Sequence, residues 1–171
     1  MKKSSPPQQN SPSSRAFGDN DILHLCVPAE RSAVIEARKA VNTVFESVGL
    51  TADESGEMDL ALGEALANAI THGLESGNDH SVEIVYISMW DFQNHLILEI
   101  TNHGEPFRAP DPPYEMPEAS RHDTHGRGLP LMEMLTDALA VCENGVDVGG
   151  ASIYLVKSMH SRVGGNASNS H

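Results

Sequence analysis

The sequence predicts a two-layer α/β (α+β) sandwich, with a mixed, mostly antiparallel sheet and helices on one face. Three observations carry that expectation. Two pairs of β-rich runs, VEIVYISMW with HLILEIT and ALAVC with ASIYLVKSM, are each joined by a turn, which implies mainly antiparallel pairing. Two stretches with helical spacing of apolar residues lie between the first and second strands. The chain has 171 residues, 39% hydrophobic and 20% charged, which suits one domain with a real core.

The elements follow in order. DILHLCV (21–27) alternates as a strand does, and Pro28 closes it. From Glu30 the apolar residues fall at Val34, Ala37, Val41, Phe45 and Val48, a helical period that Gly49 ends. TADESGEM (51–58) offers a cap and acidic first-turn residues for a second helix, from about Asp53 to Thr71. SGNDH (76–80) is a turn before the strands at 82–90 and 95–101, which DFQN joins as a hairpin. Residues 102–128 are rich in Pro and Gly and have no clear period. Long irregular segments inside compact domains are usually functional. LPLMEMLTD (129–137) reads as a short helix, followed by strands at 138–142 and 151–159 across ENGVDVGG. The order is β-α-α-β-β-loop-α-β-β.

Residues 1–19 and 161–171 are expected to be disordered tails around a single domain at 20–160. MKKSSPPQQNSPSSR continues with Pro, Ser and Gln after its lysines, so no signal peptide is expected. No apolar run approaches a membrane span. The formal net charge of −13 argues against direct nucleic-acid binding and against anionic membranes, though not against an anionic ligand held locally. Cys26 and Cys142 sit far apart among apolar neighbours. They read as two reduced, buried thiols in a cytoplasmic protein.

Three pieces carry chemistry. In GEALANAITHG (63–73), Glu64, Asn68 and His72 recur at i, i+4 on one helical stripe, flanked by Ala65, Ala67 and Ala69. A carboxylate can take a proton, and an amide oxygen one turn away can bind Mg²⁺ as a hard ligand. Spacing alone also fits a helix with incidental polar residues. Asn102-His103-Gly104-Glu105-Pro106-Phe107 follows directly on a strand. Gly104 lets the backbone approach a flat ligand and Pro106 fixes the turn, as they also would in a generic loop. Gly126-Arg127-Gly128-Leu129 opens a helix, where exposed N–H groups and the dipole favour phosphate. No Walker loop or Rossmann fingerprint is present. His122-x-x-His125 with Asp123 has neither a nearby cysteine nor an H-E-x-x-H, so zinc is not expected.

Taken together in this order, "ALGEALANAITHG", "ITNHGEPF", "GRGLPLMEML" and "GASIYLVK" resemble the GHKL (Bergerat-fold, histidine-kinase-like) ATPase superfamily. The fit is closer to its branch of small anti-sigma-factor serine/threonine kinases, the RsbW-like proteins. The resemblance spans residues 20 to 160. It implies an ATP-dependent kinase that phosphorylates a STAS-domain anti-anti-sigma protein and sequesters a sigma factor, with a homodimer as a frequent state in the branch. It also implies that Glu64 is the general base and Asn68 a Mg²⁺ ligand. By the same resemblance Asn102, Gly104 and Pro106 lie beside the adenine, and Gly126, Arg127, Gly128 and Leu129 lie at the phosphates. Residues 108–125 would form a lid, with Arg108, Arg121, Arg127, His122 and His125 adding positive charge.

One position departs from the pattern. The family usually has Asp where this chain has Asn102, and that Asp accepts a hydrogen bond from the adenine amino group. An amide oxygen also accepts, without charge assistance, at a loss of about 1 kcal/mol. A second reading therefore stands beside the kinase: a nucleotide-binding partner-switching module that binds its partner with little or no phosphorylation.

Overall fold

The computed structural model describes residues 20–74, 84–103, 111–116, 126–145 and 149–159. The expected tails, the turn at 76–80 and much of the 102–128 segment, including Gly104, Pro106, Arg108, Arg121, His122 and His125, lie outside the described residues. The described elements run β1 (Asp21–Pro28), α1 (Arg31–Val48), α2 (Ala52–Leu74), β2 (Ile84–Phe92), β3 (His95–Asn102), α3 (Gly128–Leu135), β4 (Ala138–Glu143) and β5 (Ala151–Ser158).

The strands form one five-stranded sheet in the order β1-β2-β3-β5-β4. Every pairing among the described strands is antiparallel, in the α+β arrangement expected from the sequence. Strand parity then decides the layers. Val85, Ile87 and Met89 of β2, Leu96, Leu98 and Ile100 of β3, and Ile153 and Leu155 of β5 are buried in the core. The alternate residues of these strands face away from it.

Helices supply the other half of the core. Ala37, Val41 and Phe45 of α1 are buried, as the period in the sequence requires. Gly49 adopts φ 86°, and its N–H donates to the Phe45 carbonyl, closing α1 in the left-handed turn that glycine tolerates best. Thr51 and Glu54 then form a reciprocal cap for α2. The Glu54 N–H donates to Thr51 Oγ1 (3.3 Å), and the Thr51 N–H donates to Glu54 Oε2 (2.8 Å). Met58, Leu62, Ala65, Leu66 and Ala69 make the buried stripe of α2. That helix runs through His72 and Gly73 to Leu74, beyond the end expected at Thr71.

Two expectations are corrected. The β2–β3 connection is not the four residues DFQN. Strand β2 continues through Asp91 and Phe92, Phe92 pairs with His95, and only Gln93 (φ 52°) and Asn94 (φ 64°) turn. Two successive residues at positive φ make the tight turn whose twist suits a hairpin. Cys26 and Cys142 are exposed, not buried. Cys26 stands opposite Tyr86 and Cys142 opposite Ser152, so both lie on the parity that points away from the helices.

No helix among the described residues is long and apolar enough to cross a membrane.

Candidate functional site

Glu64 and Asn68 lie on the flank of α2 next to its buried stripe. Ala65 and Ala69, their immediate neighbours, are in the core, while Glu64 and Asn68 themselves are half-buried. Among the described residues no hydrogen bond engages either side chain. Their polar atoms are thus held at the edge of the core, unengaged by the described residues.

The N-terminus of α3 packs directly on them. A Cβ built on Gly128 would stand 3.2 Å from Asn68 Nδ2, 3.3 Å from Glu64 Oε2 and 3.4 Å from Asn68 Oδ1. Only a glycine allows this approach without displacing a side chain. Gly126, two residues earlier, has φ 82° and open space around its Cβ position, so it serves the backbone turn and not a contact. Arg127 is the N-cap and offers no side-chain cap to the helix; its carbonyl accepts the Leu131 N–H at 3.0 Å. Among the described residues no side chain caps this turn, so the N–H groups of Gly128 and Leu129 (Pro130 has none) are its donors at the positive end of the helix dipole. Leu129 packs against the core and anchors this turn, together with the buried Pro130 and Met132.

The far end of α3 is fixed by a residue the sequence did not announce. Lys157 on β5 is buried, and its Nζ donates to Glu57 Oε2 at 2.7 Å and to the Leu135 carbonyl at 3.3 Å. One cation thus ties α2 to the carbonyl end of α3, where positive charge is favoured. The 111–116 piece of the expected lid also touches α3, through the Tyr114 N–H to Glu133 Oε2 at 3.0 Å.

A second polar centre forms where β3 ends. Asn102 is 8% exposed and shares strand parity with core residues Leu98 and Ile100. Its Oδ1 accepts the Ala151 N–H at 3.4 Å. Its backbone carbonyl accepts from Asn144 Nδ2 at 2.9 Å, and the same amide nitrogen also donates to the Gly149 carbonyl at 2.9 Å. Ser152 donates its hydroxyl to Asn144 Oδ1 at 3.1 Å and is paired with the Thr101 hydroxyl at 2.7 Å. Gly150 has φ 74° and backs onto the Asn102 main chain so closely that any Cβ would collide with the Asn102 carbonyl oxygen. Asn144, Gly150 and Ser152 are the parts of this centre that sequence reading missed. A polar residue after a strand reads as a turn, and only the sheet register brings it back to Asn102. His103, next in sequence, points its ring to the open side of the sheet, 5.1 Å from that of Tyr86.

A third cluster joins the helices. Arg38 of α1 makes a two-pronged ion pair with Asp59 of α2, with Nη2 to Oδ2 at 2.6 Å, and Asn42 Nδ2 donates to Asp59 Oδ1 at 2.7 Å. The guanidinium bonds hold the Asp59 carboxyl below its ordinary range, against the effect of burial. The guanidinium also lies over Gly63, where a Cβ would stand 3.3 Å from Arg38 Nη1. It thereby braces the turn of α2 that carries Glu64.

The family model described as "Histidine kinase-like ATPase domain" matches residues 27–161. The chain belongs to this family. Within the histidine kinase-like ATPase family, it is 27% identical over 135 residues to the serine-protein kinase RsbW of Staphylococcus aureus, strain JH9; the match covers 75% of this chain and 84% of that one. RsbW of strain MSSA476 matches to the same extent. In fold it is similar to the solved SiaB–SiaC complex of Pseudomonas aeruginosa, with TM-score 0.58 and 14% identity over 82% of this chain and 91% of that one. It is also similar to the structure of the RsbU and RsbW domains of Rv1364c from Mycobacterium tuberculosis. There the TM-score is 0.54, with 14% identity over 80% of this chain and 31% of the longer one. The family assignment agrees with the resemblance read from the sequence, and the RsbW-like branch with its closer fit.

Proposed function

We propose that this family member is an ATP-dependent protein serine/threonine kinase of a bacterial partner switch. Its acceptor would be a hydroxyl on a STAS-domain anti-anti-sigma protein, and its second partner a sigma factor that it sequesters. The observation that carries the reading is the contact of Gly128 with Glu64 and Asn68, because it brings a helix N-terminus onto a carboxylate and an amide. Similarity to RsbW, named a serine-protein kinase, supports the choice of acceptor.

The residues divide the work by their chemistry. A Glu64 carboxylate oxygen takes the proton as the acceptor hydroxyl attacks the γ-phosphorus, and the bond from that phosphorus to the β-bridging oxygen breaks. The N–H groups of Gly128 and Leu129 at the start of α3, with Gly126 and Arg127 before it, receive phosphate oxygens. Asn102 meets the base, next to the Gly104 and Pro106 positions of the family pattern. The fit to a divalent cation follows from the donor set: Glu64 and Asn68 offer only hard oxygen ligands, half-buried and unengaged by the described residues. Asn68 would hold Mg²⁺, which when bound neutralises charge on the phosphates.

The test is phosphoryl transfer from labelled ATP to STAS-domain proteins of the same organism, beginning with any encoded beside this gene. The wild type should label one of them, and Glu64→Ala should not. ATP binding without transfer to any of them would favour the partner-switching module without kinase activity, a reading motivated by Asn102 in place of the family Asp.

A further inference from the structure

We infer that Asn102 turns the donor edge of its amide to the base, so that the site accepts a 6-oxopurine nucleotide at least as well as an adenine nucleotide. This rests on the reading of Asn102 as the base-contacting residue, and it deepens that reading.

A primary amide has one accepting edge and one donating edge. The accepting edge of Asn102 is turned to the main chain: Oδ1 receives the Ala151 N–H at 3.4 Å. A flipped amide would set NH₂ against that N–H, two donors facing each other at a residue only 8% exposed. The main chain cannot shift to relieve this. Asn144 holds the Asn102 carbonyl at 2.9 Å, and Gly150 is packed against the same peptide. Among the described residues no acceptor takes the Asn102 NH₂. With Oδ1 turned to Ala151, that group is the end of the amide that a ligand would meet. A purine carrying a carbonyl at its 6-position presents an acceptor to it, whereas the 6-amino group of adenine presents another donor. An aspartate at residue 102 would do the opposite, accepting from the amino group and repelling the carbonyl.

ADP and IDP form the cleanest probe pair, because hypoxanthine lacks the 2-amino group of guanine and differs from adenine in its 6-position and the N1 proton that follows from it. Calorimetric titration of the wild-type protein with each should give IDP binding equal to or tighter than ADP binding. In Asn102→Asp the ratio should move towards ADP by about tenfold or more. A wild type that prefers ADP by about tenfold, or a ratio unchanged by Asn102→Asp, overturns the inference and leaves the proposed nucleotide site standing. If neither nucleotide binds, the site itself is wrong and the inference falls with it. Should Asn102→Asp fail to fold, the wild-type ratio decides alone.

Discussion

Gly128 and Glu64 are in contact across the α2–α3 junction: a Cβ on the first would stand 3.3 Å from Oε2 of the second. A methyl group there must push aside Glu64 or Asn68, and both lie at the centre of the proposed chemistry. Gly128→Ala is therefore expected to cut phosphoryl transfer by about tenfold or more, since small misplacements of reacting groups are costly. Its melting temperature should change little, because a half-buried side chain at the core edge can give way. Gly126→Ala is the contrasting variant. It meets open space but forces a left-handed backbone, at about 1 kcal/mol of stability. Thermal melts beside transfer rates for the two variants separate contact from strain.

Gly150→Ala should be the more damaging glycine substitution for the fold. The added Cβ collides with main chain, which cannot rotate away, and residue 150 also sits at φ 74°. A loss of several kcal/mol is expected, about the upper range for single substitutions. Denaturant unfolding measures it, and Asn144→Ala, which removes the side-chain hydrogen bonds to Asn102, Gly149 and Ser152, should cost about 1–3 kcal/mol.

Acid should expose the Arg38–Asp59 pair. Asp59 titrates below its ordinary value of 3.8 because of the Arg38 bonds. Its contribution is present above that value and is lost as pH falls through the lower, folded-state pKa. Stability measured from neutral pH downward should therefore fall less steeply in Asp59→Asn than in the wild type below about pH 4.

Alkali should act on Tyr154. Burial, and then its hydrogen bond to Glu99 at 2.6 Å, push the phenol up to about 12. A raised folded-state pKa means that this contribution is complete below the unfolded value of 10.0 and fades between there and about 12. Phenolate absorbance should show a tyrosine ionising at about 12 in the wild type, and Tyr154→Phe should remove that phase.

The legible parts of the fold were those with one-sided periodicity. Met58, Leu62, Ala65, Leu66 and Ala69 follow α-helical spacing and are buried together, so α2 could be drawn from sequence, along with the flank bearing Glu64 and Asn68. Strand parity was harder. Apolar flanks around Cys26 and Cys142 suggested burial, but which parity faces the helices is fixed by pairing partners far along the chain. Lys157 shows the same limit. Its burial depends on Glu57, a hundred residues away, and on the carbonyl end of α3. The sequence marks Gly128 as a phosphate-binding glycine, while its role as a spacer against α2 emerges only from the packing of two helices. The Asn144–Asn102 link spans 42 residues, with α3 and β4 between, so no local pattern could reveal it.

The central claim is that Glu64, Asn68 and the start of α3 form a Mg²⁺-dependent nucleotide site. Its most direct measurement is calorimetric titration of ATP into the wild type and Asn68→Ala, each with Mg²⁺ and with EDTA. The wild type should bind ATP in Mg²⁺ and lose most of that affinity in EDTA, while Asn68→Ala should be weak in both. No binding heat from the wild type at millimolar ATP in either condition, or equal Mg²⁺-dependent binding by the variant, would contradict it.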